Sequence, residues 1–166
     1  MGVLDQDKAR RTYDGIGARQ DTQAFYEDPA TDLILRHGEF AAARDLFEFG
    51  CGTGRFAEKL LAEHLPPSAH YRGIDLSPEM VRLARARLAR FGARADVRPA
   101  KGGPPGDEPP SSCDRFVSNY VFDLLSHEDI GATIGAAHRM LQPGGLLCVC
   151  GLARGVGPLS RAVAGL

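Results

Sequence analysis

The stretch Asp45-Leu46-Phe47-Glu48-Phe49-Gly50-Cys51-Gly52-Thr53-Gly54 decides the fold. Its first five residues form a short apolar-aromatic segment that suits a buried strand. That strand runs straight into glycines at alternate positions, residues that adopt positive φ without penalty and let backbone pass close beneath a ligand. After them Phe56, Ala57, Leu60, Leu61 and Leu65 recur at three- and four-residue spacing, a helical stripe that Pro66-Pro67 ends. Thr53 and Gly54 lead into that helix, whose first N–H groups favour negative charge such as a carboxylate.

Outward from this turn the pattern repeats. His70 to Ile74 reads as a second strand closed by Asp75, and Ser77 is placed to cap a helix that Pro78 begins. Met80, Leu83, Ala84, Leu88 and Phe91 mark that helix's apolar face, and Gly92 suits a left-handed cap. Strand–helix–strand–helix with short connections predicts an α/β fold, a Rossmann-like, doubly wound, mostly parallel sheet with helices on both faces. Ala95 to Ala100 is a weak third strand, because Pro99 cannot donate in a central ladder. Gly102 to Ser112 reads as a solvated turn or mobile insertion. A fourth strand lies within Arg115 to Phe122, and Ser126 with Asp129 resembles a capping box for a helix reaching about Leu141. Pro143-Gly144-Gly145 then turns the chain into Leu146 to Cys150, an apolar run expected in a sheet covered on both faces. Upstream, Lys8 to Tyr13 is helical and broken by Asp14-Gly15. Ala30 to His37 is a second short helix, with Pro29 at its start and Gly38 beyond its end. The expected organisation is a helical cap over residues 1–44, a core over 45–151 and a shortened tail over 152–166.

The 166 residues suffice for one domain with a real core. A net charge of -1 provides no global field toward nucleic acid or an anionic membrane. Locally, Arg82, Arg85, Arg87, Arg90, Arg94, Arg98 and Lys101 face one acid, Asp96; the run reads as a solvated helix face, the alternative being a patch for an anionic partner. No segment approaches the ~20 apolar residues that a membrane-spanning helix requires. Met1 to Asp7 lacks the basic flank and apolar run of a secretory signal. Cys51, Cys113, Cys148 and Cys150 form no paired Cys-x-x-Cys units, so buried free thiols in a reducing, cytoplasmic compartment are expected. No His/Cys/Asp cluster has metal-ligand spacing, and no metal is expected.

In an open parallel sheet a ligand binds in the crevice outside the carboxyl ends of the strands. Gly50-x-Gly52-x-Gly54 brings the third glycine one residue too close for a dinucleotide fingerprint, and the Gly-Lys-Ser/Thr of a P-loop is missing. Glu48, two residues before the first glycine, would repel a pyrophosphate; it would favour an ammonium, or help to hold the turn and a water network. That combination favours a zwitterionic ligand carrying a ribose. Asp75, 21 residues after Gly54, can accept hydrogen bonds from both ribose hydroxyls, although an acid there is shared with nicotinamide-binding sites.

The first motif, Asp45 to Gly54, resembles that of the class I S-adenosylmethionine-dependent methyltransferases. Gly73-Ile74-Asp75-Leu76-Ser77-Pro78-Glu79-Met80 resembles their second motif, and Leu141-Gln142-Pro143-Gly144-Gly145 their turn into the fifth strand. The likeness is greatest to methyltransferase domains similar to the enzymes of ubiquinone and menaquinone biosynthesis, and it covers about Lys8 to Gly151. It implies S-adenosyl-L-methionine as cofactor. The backbone of Gly50, Cys51, Gly52 and Gly54 would belong to the cofactor turn, with Glu48 nearby. Asp75 would take the ribose diol, Leu76 and Met80 the flanks of the adenine, Ser118 and Asn119 the methionine moiety, and Tyr13 its carboxylate. The family's acid after the third strand has no direct counterpart, and Asp96 is the nearby candidate for the adenine amine. The family fold normally continues through another helix and an antiparallel strand pair, which this chain is expected to lack.

Transfer from a sulfonium requires an in-line acceptor, so placement does much of the work. The expected partner is a small-molecule methyl acceptor, with no nucleic acid and no membrane span. A homodimer is expected to cover a sheet edge left open. His127 is the nearest candidate for a catalytic base. The alternatives are a cofactor-binding protein or incomplete domain with little activity, a nicotinamide-dependent oxidoreductase, and an RNA or protein methyltransferase. Ser118-Asn119-Tyr120-Val121 stands where amide or base-amine methylation would call for an Asn-Pro-Pro-Tyr motif.

Overall fold

The computed structural model describes residues 24–151, with side chains from residue 31 onward. Tyr13, the expected Lys8 to Tyr13 helix and the tail 152–166 lie outside the described residues.

Among the described residues, five parallel strands form one sheet in the order β3-β2-β1-β4-β5. They are β1 (Asp45–Phe49), β2 (His70–Asp75), β3 (Ala95–Pro99), β4 (Cys113–Asn119) and β5 (Leu141–Cys150). The doubly wound expectation holds. β1 and β4, the inner strands richest in apolar residues, are buried along almost their whole length, as expected of strands covered on both faces. Side-chain alternation splits the core in two. Leu46, Tyr71, Val97 and Val117 pack on one face with Leu60, Val81, Ala84 and Leu88. Phe47, Phe49, Phe116 and Cys113 pack on the other with Ala137 and Met140.

The helices follow local signals. α1 (Ala24–His37) begins six residues earlier than expected, so Pro29 lies inside it and forgoes a ladder hydrogen bond instead of opening it. α2 (Arg55–Lys59) runs into a π turn, Leu60–His64, closed by Leu65 N–H donating to the Leu60 carbonyl at 2.8 Å. α3 (Pro78–Leu88) has Pro78 in its first turn, and the Ser77 hydroxyl accepts from Met80 N–H at 3.3 Å. The helix stops at Leu88, and Gly92 sits beyond it in a 3-10 stretch at φ 57° rather than serving as its cap. α4 (His127–Met140) is capped by Ser126, which accepts from Asp129 N–H at 3.0 Å while donating to the Asp129 carboxylate at 2.7 Å.

Folding changes two expectations, for the 102–112 loop and the fifth strand, and fills in a third. The loop over residues 102–112 is pinned at Glu108, whose side chain is 10% exposed and pairs with Arg72 at 2.5 Å and with Arg98. The basic run has internal partners throughout: Arg82 meets Glu79, Arg85 the Val97 carbonyl, Arg87 and Arg90 Glu58, Arg94 the Ala69 carbonyl, Arg98 Asp96, and Lys101 Asp107. It is the expected solvated face, with its charges paired within the chain. β5 starts directly after α4, arches out over Gln142 to Gly145, and rejoins the ladder at Leu146 opposite Arg115. It occupies the sheet's edge, and α4 leaves Leu147 and Val149 38% and 41% exposed instead of covering them. Pro99 closes β3, the other edge strand, where its missing N–H breaks no central ladder. Among the described residues no helix is long and apolar enough to cross a membrane.

Gly131 and Gly135 lie exposed within α4, and a Cβ added at either would meet nothing within 4 Å. Gly131→Ala and Gly135→Ala should therefore each stabilise the protein by about 0.5–1 kcal/mol in urea unfolding. Leu46→Ala, at a fully buried position, should cost about 2–5 kcal/mol.

Candidate functional site

Chain order reverses between β1 and β4, and the carboxyl ends of those strands open the crevice. The glycine turn leaves β1 there, and the end of β2 holds it. Gly50 N–H and Cys51 N–H both donate to the Ile74 carbonyl, at 2.9 and 3.0 Å. Gly52 N–H donates to Asp75 Oδ2 at 2.8 Å, and the second oxygen of Asp75 accepts from Ser77 N–H at 2.9 Å. Gly54 N–H closes the turn on the Cys51 carbonyl at 3.0 Å. From α3, Arg87 donates to the Thr53 hydroxyl at 2.8 Å. Gly50 sits at φ 80°, and a Cβ there would lie 2.2 Å from Val121 Cγ2. Both its conformation and its space exclude a side chain.

Beneath the turn Glu48 is 2% exposed. Tyr71 Oη donates to Glu48 Oε2 at 2.6 Å, and Asn119 Nδ2 donates to Oε1 at 3.4 Å. Burial raises the Glu48 carboxyl from its ordinary 4.5 to about 7; those two hydrogen bonds oppose the shift and the charge of Asp75 adds to it. Burial likewise drives the Tyr71 hydroxyl and the Cys51 thiol well above their usual range, with Glu48 contributing to both. The Cys113 thiol is pushed up to about 12, chiefly by burial. Among the described residues, Asn119 Oδ1 is buried with no hydrogen-bond partner.

Of the residues singled out in the sequence, Glu48, Gly50, Cys51, Gly52, Asp75 and Asn119 come together here. Ser118, fully buried, gives its hydroxyl to the Phe49 carbonyl at 3.0 Å, so it ties β4 to β1. Gly54 makes room for α3, since a Cβ would lie 3.1 Å from Ala84. Leu76 is half-buried beside Asp75, whereas Met80 is 1% exposed. His127 is exposed at the first position of α4. The structure does not bring Asp96 to the others. Asp96 pairs in register with Arg72, three residues before Asp75, and its carboxylate binds Arg98 at 2.6 Å. It sits at the wrong end of β3. Sequence reading passed over Tyr71, although a tyrosine two residues before a glycine, in a strand otherwise suited to aliphatics, was the available signal.

A parallel sheet with a carboxylate-flanked glycine turn at its switch point defines the class of open α/β proteins that hold a ligand crevice at the carboxyl ends of their strands. Residues 47–147 match the family described as "Methyltransferase domain". The chain belongs to that family, within the class I S-adenosylmethionine-dependent methyltransferases. It is 35% identical to a trans-aconitate 2-methyltransferase of Methylobacterium nodulans over 73% of this chain and 43% of that one. It is 30% identical to a ubiquinone biosynthesis O-methyltransferase of Xylella fastidiosa over 81% and 52% of the two chains. It thus spans about half the length of these relatives. The apo S-adenosylmethionine-dependent methyltransferase SibL shares the fold at a TM-score of 0.68, with 21% identity over 84% of this chain and 41% of that one.

The raised Glu48 carboxyl fixes a sign. Between about 4.5 and about 7 the folded protein holds a proton that the unfolded chain has released, so stability falls as pH rises through this window and is flat above it. Glu48→Gln should flatten that portion of the Tm–pH curve and stabilise the ligand-free protein at alkaline pH by about 3 kcal/mol. A curve unchanged from the wild type would show that Glu48 does not titrate there.

Proposed function

We propose that this chain binds S-adenosyl-L-methionine and directs its methyl group to a small-molecule acceptor. One observation carries the reading: two carboxylates, Glu48 and Asp75, flank the turn at the switch point, one below it and one holding it. The cofactor presents a ribose diol, an ammonium and a carboxylate. Asp75 would receive the diol; an ionised carboxylate has about four acceptor sites, so two backbone N–H bonds are compatible with that role. Glu48 and Asn119 would meet the ammonium. The buried, unpartnered Asn119 Oδ1 fits the assignment, because an acceptor out of water needs a donor. Half-buried Leu76 would flank the adenine.

When bound, the cofactor supplies an electrophilic methyl on a positively charged sulfur. The chain's residues orient it and exclude water, bringing the acceptor to about 3–3.5 Å in line. His127, exposed where α4 follows the carboxyl end of β4, would take a proton from an acceptor that is not already ionised. The printed names of the relatives, one for trans-aconitate and one for ubiquinone biosynthesis, support an acceptor of small size. Cysteines without disulfides fit a reducing compartment such as the cytoplasm. The exposed Leu147 and Val149 on the edge strand β5 support a second copy as a cover.

Calorimetric titration with S-adenosylhomocysteine should give a saturable heat, and titration with NAD none. Absence of heat and of any thermal shift with the sulfonium cofactor would sink the assignment. Asp75→Ala should weaken binding about 10- to 100-fold, the worth of hydrogen bonds to a charged group. Unchanged affinity in a folded variant would remove Asp75 from the site.

A further inference from the structure

Tyr71 heads the fully buried side chains by size; its backbone pairs opposite Leu46, and only its hydroxyl reaches up the strand to Glu48. Its hydroxyl reaches Glu48 because of what stands between them. Glu48 and Gly73 are register partners across β1 and β2. A Cβ at Gly73 would lie 2.4 Å from Tyr71 Oη and 3.0 Å from Cys51 Cβ, so only glycine leaves the hydroxyl its path. The resulting bond, Tyr71 Oη to Glu48 Oε2 at 2.6 Å, is short and fully buried. From β4 Asn119 Nδ2 approaches the other carboxylate oxygen. The groups acting on Glu48 are therefore Tyr71 of β2, Asn119 of β4, Cys51 of the turn and the charge of Asp75 at the end of β2.

We propose that Tyr71 is a positioning residue: its hydroxyl steadies Glu48 as a carboxylate, so that cofactor affinity rises with pH and Tyr71 sets where the rise falls. This rests on the cofactor assignment above. Of the contacts opposing the effect of burial on Glu48, the Tyr71 hydrogen bond is the larger and the Asn119 contact the smaller. Asn119 then reads the charge. An ionised Glu48 accepts Nδ2–H and leaves Oδ1 turned away, unpartnered. A protonated Glu48 carries an O–H donor. It would draw the amide oxygen toward itself, removing both the negative charge and the spare acceptor that an ammonium needs.

The test is calorimetric titration of S-adenosylhomocysteine into wild type, Tyr71→Phe and Glu48→Gln from about pH 5.5 to about pH 8.5, spanning the raised carboxyl. A parallel series uses 5′-methylthioadenosine, which lacks the ammonium and carboxylate. The ligand's own amine titrates alike with every variant, so differences between curves report on the protein. Wild-type affinity for the homocysteine ligand should climb with a midpoint near 7, while methylthioadenosine binding stays flat. Tyr71→Phe should move the midpoint upward by about one pH unit, seen as a roughly fivefold loss at pH 7 that approaches about tenfold at lower pH and closes at alkaline pH. Glu48→Gln should lose the step. A purely structural role would instead lower affinity by one factor at every pH, and an unmoved midpoint in Tyr71→Phe would overturn the proposal. Should Tyr71→Phe fail to fold, a wild-type step retained by Glu48→Gln would overturn it equally. Wild-type protein that binds no homocysteine ligand at any pH would overturn the cofactor assignment itself, a result distinct from either.

Discussion

Three consecutive backbone N–H groups of the glycine turn end on two residues of the neighbouring strand: Gly50 and Cys51 on the Ile74 carbonyl, Gly52 on the Asp75 carboxylate. A turn that reverses direction inside a protein cannot leave such donors unpaired. Its shape is consequently fixed by β2 as much as by its own glycines. The dependence extends further. β2 is placed by its five-residue register with β1, and Ser118 of β4 ties the Phe49 carbonyl from the other side. The crevice thus exists only where three strand ends are held level, and a shift of any one of them would release the turn.

Within that frame Glu48 is under tension. Enclosing a carboxylate raises the free energy of its charged form, and its neighbours offset only part of this, since the carboxyl remains near 7. In the ligand-free protein the charge is a liability. Toward a bound ammonium the same burial becomes an asset, because attraction between opposite charges strengthens where water is excluded. Stability and binding therefore draw on the same buried acid with opposite sign, a common compromise at functional sites.

The parts legible in the sequence were those written locally. The apolar strand before alternating glycines, Ser77 and Ser126 before their helices, and Asp75 closing a strand all act within a few residues of themselves, and the structure has them in place. What escaped acts across the chain. Tyr71 and Glu48 are 23 positions apart, and their meeting depends on a register no local rule specifies. Ser118 lies at a strand end as expected, yet its hydroxyl serves a carbonyl 69 positions away. Asp96 is the only acid near the third strand in the sequence, but pairing with Arg72 sets it at the end of that strand away from the crevice. The loop around Glu108 looked solvated from its glycines and prolines; one carboxylate between two arginines holds it. In each case the deciding partner came from another element.

The direction of the turn's N–H groups explains why spacing alone could separate this site from a pyrophosphate cradle. A phosphate-binding turn aims its N–H groups outward at the ligand, using the helix that follows as a positive end. Here the N–H groups of Gly50, Cys51, Gly52 and Gly54 are spent inward, on β2 and on the turn itself. The helix that follows keeps α geometry for only five residues before widening into a π turn. What such a turn offers a ligand is a smooth backbone surface with carboxylates at its margins. That surface suits a diol and an ammonium, and it repels the double charge of a pyrophosphate. The third glycine, one residue early, serves the same end: a Cβ at Gly54 would lie 3.1 Å from Ala84, so its absence admits α3 against the turn, and Arg87 of that helix then fastens Thr53. The spacing that looked like a defect in one fingerprint is the packing requirement of the other.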